Sequence, residues 1–434
     1  MHQALVARPG SCVRRLAGGD RARQMQFFRL LHNEAVTVAE MSACAAARTA
    51  ERVAGMDILA IQDTSELVFG SKAARGRGFG PVGRGGALGG LCLHSVLAVD
   101  AVTGEIAGLV HMQVSNRDQG KVGARRERAT ADKESQRWLD GMAQAGVVLS
   151  QAARITVVAD RESDIYEEFA CRPANVHLIT RAAQDRRIRT AAGGETRLFA
   201  FADGLPEAER LRVIIPAAPG RPRRETELGL RFAPVLLCKP KNSTARELAE
   251  TVRLTLVDIL ETTPPSVGEP IHWRLLTTHA VDSVGAARMV LDFYRRRWII
   301  EDYFRTLKTA GFDIEAATLE EPAATARLVG AAACAAVTVM QLVRARDGGS
   351  QRLEAAFDPA DQPLLEALSA KLEGKTARQT NPHAKGSLAF AAWVIARLGS
   401  WDGYYGKPGP KIMRRGLEDF RMIKYGYQLG PRNV

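Results

Sequence analysis

An α/β fold is what this sequence predicts, and three stretches predict it. Two short apolar runs, Ile58–Asp63 (ILAIQD) and Ile155–Asp160 (ITVVAD), read as buried strands with an acid at the carboxyl end. The third, Tyr294–Lys308 (YRRRWIIEDYFRTLK), has no Pro or Gly, and Phe293, Ile300, Phe304 and Leu307 recur at helical offsets. At about 100° per residue, Tyr294, Arg297, Glu301 and Lys308 then fall within roughly 60° of one another. A phenol, a guanidinium, a carboxylate and an ammonium share that face, with the lone acid held among cations. Read alone, the face could equally be an ordinary solvated one with pairs three or four residues apart.

With 434 residues the chain has room for two or three domains. A net charge of +12 and a pI near 9.7 point to a polyanionic partner, nucleic acid or an acidic membrane surface. The charge is spread along the chain, which argues against a disordered basic arm. Cys12, Cys44, Cys92, Cys171, Cys238 and Cys334 form no CxxC pair and suit free thiols in a reducing cytoplasm better than disulfides or a zinc site. The eight histidines show no HExxH spacing. No stretch resembles a signal peptide, and the Ala-rich run Leu328–Val343 reads as a buried helix too short to span a bilayer.

Taken in order, residues 1–55 read as helical with polar faces. The Gly- and Arg-rich stretch 70–90 lacks GxxxxGK[ST], so it reads as a basic hairpin tip rather than a nucleotide loop. Strands are expected at Leu91–Val99 and Glu105–Val114, around a turn at Asp100–Gly104, and a helix around Lys133–Gln144. After Asp160, RESDIYEEFA is expected to start a helix, its acids in the first turns. Val176–Arg181 is a strand ending in a cation, and residues 185–280 form a β-rich insertion with Pro and Arg clusters such as Arg221-Pro-Arg-Arg. Beyond 320 the chain is largely helical.

This order of strands, acids and helices matches an RNase H-like catalytic core. The β-rich insertion lies between the second and third acids, Asp160 and Glu301, with helical regions at both termini. The expected division is a helical, DNA-binding region at 1–55, a catalytic domain at 56–320 and a helical region at 321–434. Asp63 and Asp160 at strand ends and Glu301 on a helix across them would repel one another unless a divalent cation intervened. Hard carboxylate oxygens select Mg²⁺ or Mn²⁺. Two such ions, about 3.5–4 Å apart, can activate a water or 3′-hydroxyl and stabilise the departing oxygen of a phosphodiester.

These residues resemble those of the IS-four family of DDE transposases of bacterial insertion sequences, the branch that includes the transposase of transposon five. That family carries Tyr-x2-Arg-x3-Glu-x6-Lys, and Tyr294, Arg297, Glu301 and Lys308 fit the spacing without a gap. LAIQDTSEL around Asp63 and VVADRESDIY around Asp160 are similar to the family's first and second acid segments. The resemblance implies cut-and-paste transposition: nicking, hairpin formation, hairpin opening and strand transfer. It implies that Asp63, Asp160 and Glu301 hold two Mg²⁺ (or Mn²⁺) ions, and that Arg181, Arg297, Lys308 and Tyr294 contact DNA phosphates. Trp273 and Trp298 resemble aromatics that hold a base flipped from the hairpin, although Trp273 at a strand start also reads as core. Lys133, Glu134 and Trp138 resemble a further family segment without an assigned role. KGSLAFAAWVIARLG (385–399) is similar to the family's C-terminal dimerisation region, which implies a homodimer joining two DNA ends. A bacterial, cytoplasmic, nucleoid-associated protein with no membrane partner is expected.

The amino end departs from the family pattern, with fewer residues before the first acid than is usual. An alternative is therefore a shortened, non-catalytic regulator that forms unproductive dimers with full-length transposase. A host nuclease of the same fold is a weaker third reading.

Overall fold

Most of the apolar runs become strands, and the Ala- and Leu-rich stretches become helices. The computed structural model describes all residues except 8–9, 71–76, 118–134, 192, 216–221, 242, 244–246, 264, 266–267 and 429–434. Its strands are β1 Asp57–Val68, β2 Gly80–Val82, β3 Leu88–Asp100, β4 Ile106–Ser115, β5 Arg154–Ala159, β6 Val176–Arg181, β7 Arg187–Thr190, β8 Glu195–Arg197, β9 Glu209–Ile215, β10 Arg224–Cys238, β11 Thr251–Glu261 and β12 His272–Thr277. The helices begin with α1 His2–Ala7, α2 Val13–Ala17, α3 Arg21–His32 and α4 Val38–Ala50. They continue with α5 Gln136–Val148, α6 Tyr166–Ala170, α7 Leu198–Asp203, α8 Val284–Arg295 and α9 Trp298–Lys308. The last are α10 Pro322–Ala345, α11 Gln362–Leu372, α12 Leu388–Leu398 and α13 Pro410–Gln428.

The chain forms two units, one from Met1–Ala54, Thr64–Lys121 and Ile299–Val434, the other from Gly55–Asp63 and Val122–Trp298. In the first, β3 lies between β2 and β1, and β4 pairs antiparallel with β3. Local chemistry starts its helices. Thr37 and Glu40 close a reciprocal capping box on α4, and Ser387 caps α12 by accepting from Phe390 N. α10 is the helix among the described residues that is long and apolar enough to cross a membrane, yet 72% of its apolar window is buried within the protein. That is the burial of a core helix. α12 is likewise buried along nearly its whole length.

The second unit is built on a sheet of order β1-β5-β6-β12-β11-β10-β7-β8, with β9 also paired to β10. β1, β5 and β6 are parallel, and β6, β12, β11 and β10 run antiparallel. β5 is buried from Ile155 to Ala159, the near-continuous apolar run typical of a strand covered on both faces.

The structure corrects two local expectations and leaves part of a third outside the described residues. β1 does not end at Asp63 but continues to Val68, because Thr64–Val68 keep to the strand and the ladder with β3 closes only at Phe69 N→Gly89 O, 3.0 Å. Asp63 is thus an interior strand residue, at the point where burial falls from complete to partial. The segment after Asp160 does not enter a helix directly. It makes a 3-10 turn at Arg161–Ser163, and α6 begins at Tyr166, because Asp164 is drawn inward to other partners. Of the expected helix around Lys133–Gln144, the described part begins at Gln136; Lys133, Glu134 and Arg221 lie outside the described residues. Trp138 is only 1% exposed, a core residue of α5.

Candidate active site

Parallel pairing brings Asp63 and Asp160 to the same level of the sheet. Ile61 on β1 is paired with Val158 on β5, and each acid lies two residues beyond its member of that pair. Residues two apart along a strand share a face, so both carboxylates project from the same side. They share a guanidinium. Arg297 Nη1 donates to Asp63 Oδ2 at 3.2 Å, and Nη2 lies 4.0 Å from Asp160 Oδ2. Tyr294 Oη donates to Asp160 Oδ1 at 3.1 Å, and Arg181 Nη1 stands 3.9 Å from that oxygen. Arg181 Nη2 also donates to the His272 carbonyl at 3.0 Å, fixing the end of β6 to the start of β12.

The chain between Tyr294 and Trp298 is not the continuous helix that the sequence predicts. α8 stops at Arg295 and α9 starts at Trp298. Between them Arg296 N donates to Phe293 O and Arg297 N to Tyr294 O, at 3.1 and 3.0 Å, tightening the backbone to three-residue turns. The break takes Arg297 out of helical register and aims it at the carboxylates, with its side chain only 5% exposed. The four residues of the motif are therefore spread over two helices and the turn between them. Tyr294 is in the last turn of α8, Arg297 in the break, and Glu301 and Lys308 on α9, about 20° apart.

The aromatic residues flank this cluster. Trp273 on β12 meets Tyr294 edge-on, with ring centroids 5.2 Å apart. Trp298 is 53% exposed, with the Arg297 guanidinium 5.0 Å from its ring centroid. Burial, and then the negative charge of Asp160, push the Tyr294 hydroxyl well above its ordinary value. It therefore stays a proton-bearing donor throughout the physiological range.

Glu301 and Lys308 belong to the other unit. Glu301 is half-buried in the first turn of α9. Lys308 Nζ lies 3.7 Å from Glu315 Oε1, an oxygen that also accepts from Val68 N at 3.0 Å. Among the described residues, no three His, Cys, Asp or Glu side chains are gathered as a ready metal cluster. Asp63 and Asp160 are two hard-oxygen donors already facing a common cation, a donor set that suits Mg²⁺ or Mn²⁺.

Several contributors escape sequence reasoning. Asp164 accepts from Ala183 N (2.8 Å), Gln184 N (3.0 Å) and Arg186 Nε (2.7 Å), tying the turn after Asp160 to the segment after Arg181. Glu168, on α6, bonds to Gln62 and Ser163. Gln62 is the one of these with a sequence signal, a polar side chain inside the apolar run ILAIQD. Nothing in YEEF separates Glu168 from Glu167.

Residues 90–338 match a known family, described as Transposase DDE domain. That stretch holds Asp160, Arg181, Trp273, Tyr294, Arg297, Trp298, Glu301 and Lys308, and it begins after Asp63. With more than half of its length in the match, and with paired aspartates on adjacent strands, the chain belongs to the DDE transposase family, whose members act on DNA and generally use divalent metal ions.

Proposed function

We propose that this transposase works by cut-and-paste: nicking one strand, forming and opening a hairpin, and joining the freed 3′-end to target DNA. The observation that carries this reading is the shared Arg297 guanidinium between Asp63 and Asp160. Two carboxylates that close together need a cation, and a divalent ion is one that their hard oxygens suit. Asp63 and Asp160 would hold the ions, and the resemblance of the Tyr294–Lys308 motif adds Glu301 as the third ligand. Bound there, divalent ions supply Lewis acidity for water or a 3′-hydroxyl and for the leaving oxygen.

The remaining roles follow from chemistry. Arg297, released from the carboxylates, and Arg181 and Lys308 are cations suited to phosphate, with Tyr294 as a neutral donor. Trp298 has the exposed indole face that a flipped base needs, and Trp273 stands edge-on to Tyr294. Strand orders β4-β3-β1 in one unit and β1-β5-β6 in the other support an RNase H-like core. The spacing of Tyr294, Arg297, Glu301 and Lys308 supports the IS-four branch. Work on two DNA ends at once calls for a homodimer, with the helical region 321–434 as the candidate contact.

The test is cleavage of a linear DNA carrying the chain's own gene with its flanking sequence, in Mg²⁺ or Mn²⁺. The parent should release hairpin-ended product, and Asp160→Asn and Glu301→Gln should release none. Equal cutting by parent and variants would sink the assignment. Failure of the parent to cut, while it suppresses a related active transposase, would favour a regulator instead.

A further inference from the structure

We propose that Glu168 is a positioning residue: its carboxyl joins Gln62, next to Asp63, to Ser163, in the turn that follows Asp160, and so sets the spacing of the two acids. The inference rests on the reading of Asp63 and Asp160 given above. Gln62, Ser163 and Glu168 are all 0% exposed. Gln62 Nε2 donates to Glu168 Oε1 at 2.8 Å, and the Ser163 hydroxyl bonds to Oε2. Gln62 and Asp63 are neighbours on β1, so their side chains leave opposite faces of the strand. Glu168 therefore holds the strand from behind while Asp63 faces Arg297.

On the other arm, Ser163 N donates to Asp160 O at 3.0 Å, closing the turn that carries the second acid. One carboxyl thus ties both acid-bearing segments together, behind the guanidinium that ties them in front. Burial pushes Glu168 up to about 8, helped by the charge of Asp164 and opposed by the Ser163 and Gln62 bonds. A neutral carboxylic acid has one donor and one acceptor, enough for both partners. Glutamine has the same shape and offers the same pair.

The experiment uses full-length protein, a supercoiled plasmid carrying its own gene and flanking DNA, and Mn²⁺. Nicking rate at saturating protein, DNA affinity by gel shift and thermal midpoint are measured for Glu168→Ala, Glu168→Gln, Ser163→Ala and Asp160→Asn. Misplacement of reacting groups by about 1 Å costs on the order of 100-fold, so Glu168→Ala should nick about 10- to 100-fold more slowly with DNA affinity within twofold. Glu168→Gln should restore the rate to within about threefold. Ser163→Ala, which removes one tie and little packing, should lose about tenfold in rate while staying folded with a modestly lowered midpoint, and it keeps the test valid if Glu168→Ala does not fold. Parental rates in Ser163→Ala, a Glu168→Gln rate as low as alanine's, or losses that follow DNA affinity would overturn the proposal. Nicking by Asp160→Asn would overturn the reading of the acids themselves. A dead Asp160→Asn beside a fully active Ser163→Ala would remove only the role of Glu168.

Discussion

Replacing Arg297 by alanine should destabilise the metal-free protein and make its stability depend on divalent cations. The guanidinium lies 3.2 Å from Asp63 and 4.0 Å from Asp160. At an effective dielectric of about 20, Coulomb's law gives gross attractions of about 5 and about 4 kcal/mol. Desolvation consumes much of this, but truncating one partner of a buried pair still costs about 3–5 kcal/mol, because the remaining charges lose one of their buried counter-ions. The Asp160 side chain is 30% exposed and water relieves part of its cost, so about 3 kcal/mol is expected. For a unit of this size that lowers the melting midpoint by roughly 6–12 °C. Millimolar Mn²⁺ should recover most of this loss in the variant, since the ion takes the vacated position between the carboxylates. It should move the parent much less, because there it must first displace Arg297. Differential scanning calorimetry with EDTA or Mn²⁺ reads both shifts. An unchanged midpoint in EDTA would refute the electrostatic argument. A destabilised variant that Mn²⁺ leaves unmoved would refute the metal-holding role of the aspartates.

Three further outcomes are expected. Glu261 is held down at about 2, chiefly by its Arg224 hydrogen bond, from an ordinary 4.5, so its contribution is present above 4.5 and lost as pH falls toward 2; Arg224→Met should flatten the urea-midpoint slope across that window. Glu168 behaves oppositely. Its raised value of about 8 means stability present below 4.5 and lost as pH rises toward 8, a slope that Glu168→Gln should abolish in the same measurement. Trp298→Ala should leave the melting midpoint unchanged, because the indole is 53% exposed, yet slow hairpin formation by about 5- to 150-fold if stacking supplies its usual 1–3 kcal/mol.

Where the apolar period was unambiguous, the strands were readable to within a few residues. Val176–Arg181 has the same bounds in sequence and structure, and Ile155–Asp160 differs by one residue at each end. The errors fall where side-chain chemistry overrides periodicity. β1 continues past Asp63 because a polar Thr-Ser-Glu segment found a partner strand. The helix breaks before Trp298 and re-aims Arg297 at two carboxylates. The helix expected after Asp160 is delayed because Asp164 is claimed by Arg186 and two backbone N–H groups. Each is a long-range bond that a local window does not contain.

The order of residues along the chain was enough to mark most of the strands and to single out Asp63, Asp160 and Glu301 as candidate acids, because periodicity and residue type are local properties. Which side chains meet was decided only in three dimensions. Arg297 reaches Asp63 across 234 positions and Gln62 reaches Glu168 across 106. Those pairings follow from parallel strand register and from the need to satisfy buried polar groups, and both exist only once the sheet has formed.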